Sequence, residues 1–465
     1  MKLYAADLDF RAIAEEFSVP TTFPEPVLQE AEASTDRCAD QRRDARELEL
    51  VTIDPPGSKD LDQAVLIEAR GEGFRVYYAI ADVAAWVEPG GQVEAESLRR
   101  GQTIYLPDEP ARLHPPVISE DRASLLEGVD RPAVLWTIDL DSAGEVTGFH
   151  VERALVRSRA RLDYDGVQRD REQGTVHPSI QLLDKVGAAR AATALRREAI
   201  NLRLPSQRVS RTDDGRFELV IEPRHQVMDD NSEISLLTGM VAGQMMTEAG
   251  HGLVRTLKPA TQDALADFRL KAQALGYALQ EGESVPALLQ RVDATQPRGM
   301  AVMREAQSLL RGSGYARVGT EEATVHAGVG GYYAHVTAPL RRLIDRFATE
   351  HCLSIAAGTD VPAWVTDKEQ EVLEAMQSSG GLASQVDRAV LDLTEATVLA
   401  PWVGHNFPAV VLSANQEQAT SRIFVEEPPV ISSCVGAPPV GAATVVSLIT
   451  ADPGSRKVEF AWPAD

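Results

Sequence analysis

The chain predicts an α+β fold class, with a small helical region ahead of it and an all-β barrel of the OB type behind it. Three observations carry this reading. Strand-like runs dominate from residue 48 to about 155, and helical periodicity dominates from about 180 to 400. Residues 401–465 then change to short β-prone runs separated by Pro and Gly turns, the pattern of a small five-stranded barrel. The units that follow are 1–47, 48–400 and 401–465.

In the first unit Asp9 is placed to cap a helix in which Phe10, Ile13, Ala14 and Phe17 share one face. Pro20 stops it. A second helix begins near Pro24–Pro26 and runs on through Val27 to Glu32. Two short helices so close together form either a helix-turn-helix module or a brace against the next domain. Residues 34–47 are dense in charge and read as a linker.

The second unit opens with Leu48, Leu50 and Thr52 alternating with Glu49, Val51 and Ile53, a strand pattern that Asp54 ends. Phe74–Val87 and Ala133–Leu140 read as buried strands, and Leu182–Arg197, Leu236–Glu248 and Leu340–Ile355 as helices. No internal repeat is evident. In the third unit the runs are Ala409–Leu412, Arg422–Val425, Ala443–Ile449 and Lys457–Trp462.

Composition narrows the class. The 465 residues are 44% hydrophobic, normal for a globular chain with a substantial core. The three cysteines, Cys38, Cys352 and Cys434, are far apart, and the nine histidines do not cluster, so neither a disulfide framework nor a zinc site is indicated. The N-terminus lacks a signal-peptide apolar region, and no apolar run approaches a membrane span. A cytoplasmic protein with no membrane partner is expected, and nothing indicates an obligate protein partner, so a monomer is expected. The net charge of −23 argues against a nucleic-acid partner. It is uneven, however: residues 151–216 hold 14 Arg and Lys against 9 Asp and Glu. An acidic exterior with a basic channel satisfies both facts.

The stretch Leu50–Ala64 carries the chemistry. Asp54, Asp60 and Asp62 lie within nine residues, separated by the turn Pro55-Pro56-Gly57. Asp60 and Asp62, two apart, share a face if that segment is extended. Folded back toward Asp54, they gather negative charge that must be protonated or bridged by a cation. Oxygen-only ligands suit a hard ion such as Mg²⁺. The alternative is a loop with ordinary aspartate turn chemistry.

This stretch resembles the signature T-I-D-x-x-x-x-x-D-L/F-D-D-A of the RNase II/RNase R (RNB-domain) family. Five further segments resemble that family in order. They are Phe23–Ala31, Ile80–Gly90, Tyr105–Asp108 with Ser124–Leu126, Ser158–Asp165, and His326–Gly328 with Tyr333–Arg342. The resemblance implies an RNB-type catalytic domain, an RNA-binding OB barrel after it, and a processive hydrolytic exoribonuclease. That enzyme would act on the 3′ end of single-stranded RNA and release nucleoside 5′-monophosphates. It makes Asp54, Asp60 and Asp62 the Mg²⁺ ligands and Arg341 the catalytic arginine. Gln63 stands where the family has a fourth aspartate; its carbonyl could still coordinate, but the site loses charge. Tyr164 matches a tyrosine that packs against RNA bases, though a core tyrosine is equally compatible. Arg157, Arg159 and Arg161 alternate along a possible strand and either line a phosphate-tracking groove or form a solvated face. Glu233 matches one glutamate of a family I-E-E helix, with Ile234 replacing the other, and Arg342 joins the RNA-binding set. His335 and Thr337 support the arginine loop. Family members usually carry two RNA-binding barrels before the catalytic domain; residues 1–47 are too few for them, so a short form is expected. The competing functions are a catalytically weakened RNA-binding protein of the same fold and a hydrolase of small phosphodiesters.

Overall fold

Five strands form one mixed sheet that frames the middle of the chain. The computed structural model describes residues 4–463 except 6–7, 194–195, 197, 201, 203–205, 212–216, 223, 295, 426 and 429. The sheet order is Arg43–Asp44, Val146–Arg157, Asp130–Leu140, Gly73–Ala81 and Gln63–Arg70. All pairs are antiparallel except the edge strand Arg43–Asp44, which runs parallel to its neighbour.

Successive side chains on a strand point to opposite faces, and here both faces are covered. Val65, Ile67, Val76, Tyr78, Val134 and Trp136 join a core with the central helix Gln226–Ala249 and the helix Leu343–Ala357. Ala64, Leu66, Ala79, Ala133, Leu135 and Ala154 fill a second core with Val27 and Ala31 of the helix Glu25–Ala33. Burial on both faces is why Phe74–Ala81 and Ala133–Leu140 are nearly continuous apolar runs rather than alternating ones.

The N-terminal helices are braces and do not form a helix-turn-helix. The helix Arg11–Glu16, with Phe10 at its start, buries Phe10, Ile13 and Ala14 against Val386, Ala389 and Val390 of the long helix Glu369–Leu399. The helix Glu25–Ala33 packs on Gln92–Arg100, where Glu30 accepts hydrogen bonds from the N–H groups of Gln92 and Val93 at 2.7 and 3.0 Å. Each helix therefore spends its apolar face on a different partner.

Residues 34–47 are part of the fold rather than a linker. Arg42 pairs with Asp36 at 2.7 Å and with Asp82 at 2.9 Å, its side chain only 4% exposed. Arg153 extends this buried network from Asp82 to Glu350. Local charge density reads as solvated; long-range pairing buries it.

The predicted helix Leu182–Arg197 is helical over Leu183–Ala192, and Arg197 lies outside the described residues. The short helices Gln262–Ala274, Val285–Arg291 and Pro297–Ala306 share a core with Val410, Leu412 and Phe424. Those three belong to the C-terminal unit, a closed barrel of Asn406–Asn415, Thr420–Val425, Val430–Val435, Lys457–Ala461 and Ala443–Asp452 in that order. Its third strand, Val430–Val435, is diluted by Ser432 and Ser433, which hides it among the β-prone runs.

Candidate active site

Asp54 ends the strand Thr52–Asp54, which pairs in parallel with Arg161–Asp163. After Asp54 the chain turns at Gly57, whose φ of +87° is open to glycine at little cost. The returning segment is pinned. Ser124 Oγ donates to the Lys59 carbonyl at 2.6 Å and accepts from the Leu61 N–H at 3.0 Å. The Ala81 N–H donates to the Asp62 carbonyl at 2.9 Å. Asp62 is held there with only 4% of its surface exposed.

The arginine loop comes in over this segment. The Leu340 N–H donates to Asp62 Oδ1 at 2.8 Å, and Arg341 Nε lies 3.5 Å from Asp62 Oδ2. Asp345 holds the loop's shape by accepting from the Ala338 N–H at 2.7 Å. The Thr103 N–H adds a bond to the Arg341 carbonyl at 3.0 Å. The loop can reach this position because glycines on the central helix admit the chain before it. A Cβ on Gly239 would sit 2.2 Å from the Tyr333 ring, and one on Gly243 would sit 2.6 Å from the Tyr333 nitrogen.

Electrostatics bind the group together. Burial pushes Asp54 up to about 6, while Arg341 pulls it down and Asp60 pushes it up. Burial pushes Asp62 up to about 8 against the pull of Arg341 and the Leu340 N–H. Asp60 also accepts from the Tyr105 hydroxyl at 3.3 Å. Arg161, exposed, acts on Asp54 as a further cation.

Gln63, expected as a metal ligand, bonds to two groups within the protein. Its amide donates to the Thr337 carbonyl at 2.5 Å, and its oxygen accepts from the Tyr78 hydroxyl at 2.8 Å. Reversing the amide would set two carbonyl oxygens against each other, so Gln63 stitches the sheet to the arginine loop. Thr337 is further tied by its hydroxyl to Ser235 Oγ at 2.9 Å. Tyr164 starts the helix Tyr164–Gln173 and accepts from Asn231 Nδ2 at 3.2 Å. Tyr78, Asn231 and Ser235 were not legible as site residues. Tyr78 sits in an apolar strand run, and the other two sit on a helix whose register against Tyr164 and Thr337 is a tertiary fact.

Four residues expected to contact RNA also have partners within the protein. The strand carrying Arg157 ends at that residue, so Arg157, Arg159 and Arg161 do not share a strand face. Arg157 pairs with Asp130 at 2.6 Å, and Arg159 donates to the Arg46 carbonyl at 2.5 Å. Glu233 is buried in a two-bond pair with Arg196, at 3.0 and 2.8 Å. Arg342 forms a two-bond pair with Asp345, at 2.9 and 2.8 Å. Glu233 carries a buried charge that requires a partner, whereas Arg157 and Arg159 keep exposed surface.

Among the described residues no three His, Cys, Asp or Glu side chains form a ready cage for a metal ion. Mg²⁺ does not require one; it is commonly held by one or two carboxylates together with water and substrate phosphates. Asp54 and Asp62, with Asp60 beside them, are hard oxygen donors whose ionisation burial opposes, and that donor set fits a divalent cation.

A cation needs Asp62 ionised, yet without one Asp62 keeps its proton up to about pH 8. Mg²⁺ binding should therefore release protons at pH 7, and its affinity should rise with pH and level off above about 8. Calorimetry in buffers of different ionisation enthalpy measures this, and binding with no proton release contradicts it. Gln63→Glu sets a carboxylate against the Thr337 carbonyl and should cost about 1–3 kcal/mol in denaturant unfolding. An unchanged midpoint would remove the stitching role.

A family model described as RNB domain matches residues 42–350, and one described as RNase II-type exonuclease C-terminal S1 domain matches residues 405–462. The chain belongs to the RNB-domain family. It is 26% identical over 429 residues to the ribonuclease R of Chlamydia muridarum, covering 88% of this chain and 60% of that protein. The chain thus spans about three-fifths of the length of that curated relative. Its fold is similar to that of Mycoplasma genitalium RNase R in complex with ribose-methylated single-stranded RNA, with TM-score 0.86 and 17% identity, covering 97% of this chain and 77% of that one. It is also similar in fold to yeast Ssd1, a pseudonuclease, with TM-score 0.71 and 15% identity, covering 91% and 53%.

Proposed function

We propose that the protein is a Mg²⁺-dependent hydrolytic exoribonuclease that works from the 3′ end of single-stranded RNA and releases nucleoside 5′-monophosphates. One observation carries the reading: Asp54, Asp60 and Asp62 meet Arg341 at the end of a loop fixed from several sides. Membership of the RNB family supports it.

In this reading Asp54 and Asp62 hold the cation, with Asp60 beside them. When bound, the cation acidifies an attacking water and neutralises phosphate charge. Arg341, its side chain 46% exposed, donates to a phosphate oxygen where charge grows in the transition state. The bonds to Leu340 and Arg341 from Asp62 and Thr103 keep that donor in place before substrate arrives. Tyr105 orients Asp60. Tyr164 offers a ring on which a base can stack, worth about 1–3 kcal/mol. Arg161, exposed beside Asp54, meets a backbone phosphate. Reduced surroundings suit the three cysteines, all free and buried, and the cytoplasm is the compartment that goes with this reading.

Matched RNA and DNA oligomers test the proposal. With Mg²⁺ the RNA should yield nucleoside 5′-monophosphates and the DNA largely survive, because the ribose 2′-OH tells the two apart. EDTA should stop the release. Equal rates on both polymers, or release unaffected by EDTA, would overturn it. A second reading, an RNA-binding protein without hydrolysis, draws support from Gln63, a neutral side chain already engaged by Tyr78 and Thr337. A retarded but intact RNA band would identify that case.

A further inference from the structure

A cleft of about 450 Å³ opens on a face whose lining includes none of Asp54, Asp60, Asp62 and Arg341. Its walls are Val146 and Phe149, Leu237 and Val241 of the central helix, and Val325 and Tyr332. Phe149 is 43% exposed and Val325 41%, so apolar surface is left in water here.

Arg190 also lines the cleft and is only 3% exposed. One of its terminal nitrogens donates to the Gly144 carbonyl at 2.7 Å. Among the described residues the other reaches only the Met240 sulfur at 3.6 Å, a weak acceptor, and the buried Nε has no partner. Two acids lie close enough to act on it: Glu233, which is taken by Arg196, and Glu145, which is exposed at the cleft wall and makes no ion pair with it. Among the described residues no carboxylate pairs with Arg190, and a buried unpaired cation is costly. The unsatisfied edge, Nε with the terminal nitrogen beside Met240, is the two-donor fork that matches a carboxylate. The volume is that of a small-molecule site.

We propose that this cleft binds a small apolar carboxylate, its head on Arg190 and its body along Phe149, Leu237 and Val241. The inference is independent of the proposed ribonuclease activity. Titration calorimetry of the full chain with octanoate and with octan-1-ol tests it. Octanoate should bind at one saturable site, at least about tenfold more tightly than the alcohol, which lacks the charge. Arg190→Met and Phe149→Ser should each weaken octanoate at least about fivefold, given a charge-assisted pair and an aromatic wall lost. Phe149 is exposed, so Phe149→Ser keeps the test valid should Arg190→Met fail to fold. Absence of octanoate binding, equal affinity for the alcohol, or undiminished binding by Phe149→Ser would overturn the assignment.

Discussion

Asp62→Asn is expected to lose about 10³-fold in kcat on single-stranded RNA, the loss of several kcal/mol of transition-state stabilisation, with RNA affinity little changed. The substitution removes a cation-holding charge but keeps an oxygen that can accept from the Leu340 N–H, so the arginine loop stays in place. Turnover is read by monophosphate release and binding by fluorescence anisotropy. Near-normal turnover would refute the role given to Asp62.

The same variant should be more stable than the parent protein when no cation is present. Asp62 is raised in the folded state to about 8, from an ordinary value of 3.8. Between those values the folded chain keeps a proton that the unfolded chain releases, so stability falls as pH rises through that window. Asparagine removes that fall. Asp62→Asn should therefore melt close to the parent at pH 4 and well above it at pH 8.5 in EDTA. A function–stability trade of this direction is what a charge-holding site implies.

Arg341→Ala is expected to cost about 10²–10³-fold in kcat, the usual effect of losing one donor to developing charge. Arg341 also pulls Asp54 and Asp62 down. Its loss should let both carboxyls rise further, so the acid limb of the pH–rate profile should move to higher pH. Arg341→Lys keeps a charge but not the planar fork, and should recover the pH profile better than the rate. A purely structural role for Arg341 would lower kcat without moving the profile.

The carboxylates and Arg341 were legible because their chemistry is written in local spacing and ordered motifs. Asp54, the turn at Gly57 and Asp62 need only the stretch that contains them. The barrel was legible because Pro and Gly punctuate its strands. What could not be read depends on partners far along the chain. Gln63 meets Thr337, 274 residues away, and Glu233 meets Arg196. Arg42 is buried against Asp82, so a charged residue that looks solvated is structural. Arg342 looks equivalent to Arg341 in sequence, yet Asp345 on the following helix turn claims it, and Arg341 is left facing Asp62.

The most direct measurement is a time course of 5′-labelled single-stranded RNA with Mg²⁺, run for the parent protein beside Asp62→Asn and resolved on a gel. The account predicts a ladder shortening from the 3′ end to a short labelled product with the parent, and intact, still-bound RNA with Asp62→Asn. Intact RNA in both lanes, or identical ladders in both, would contradict it.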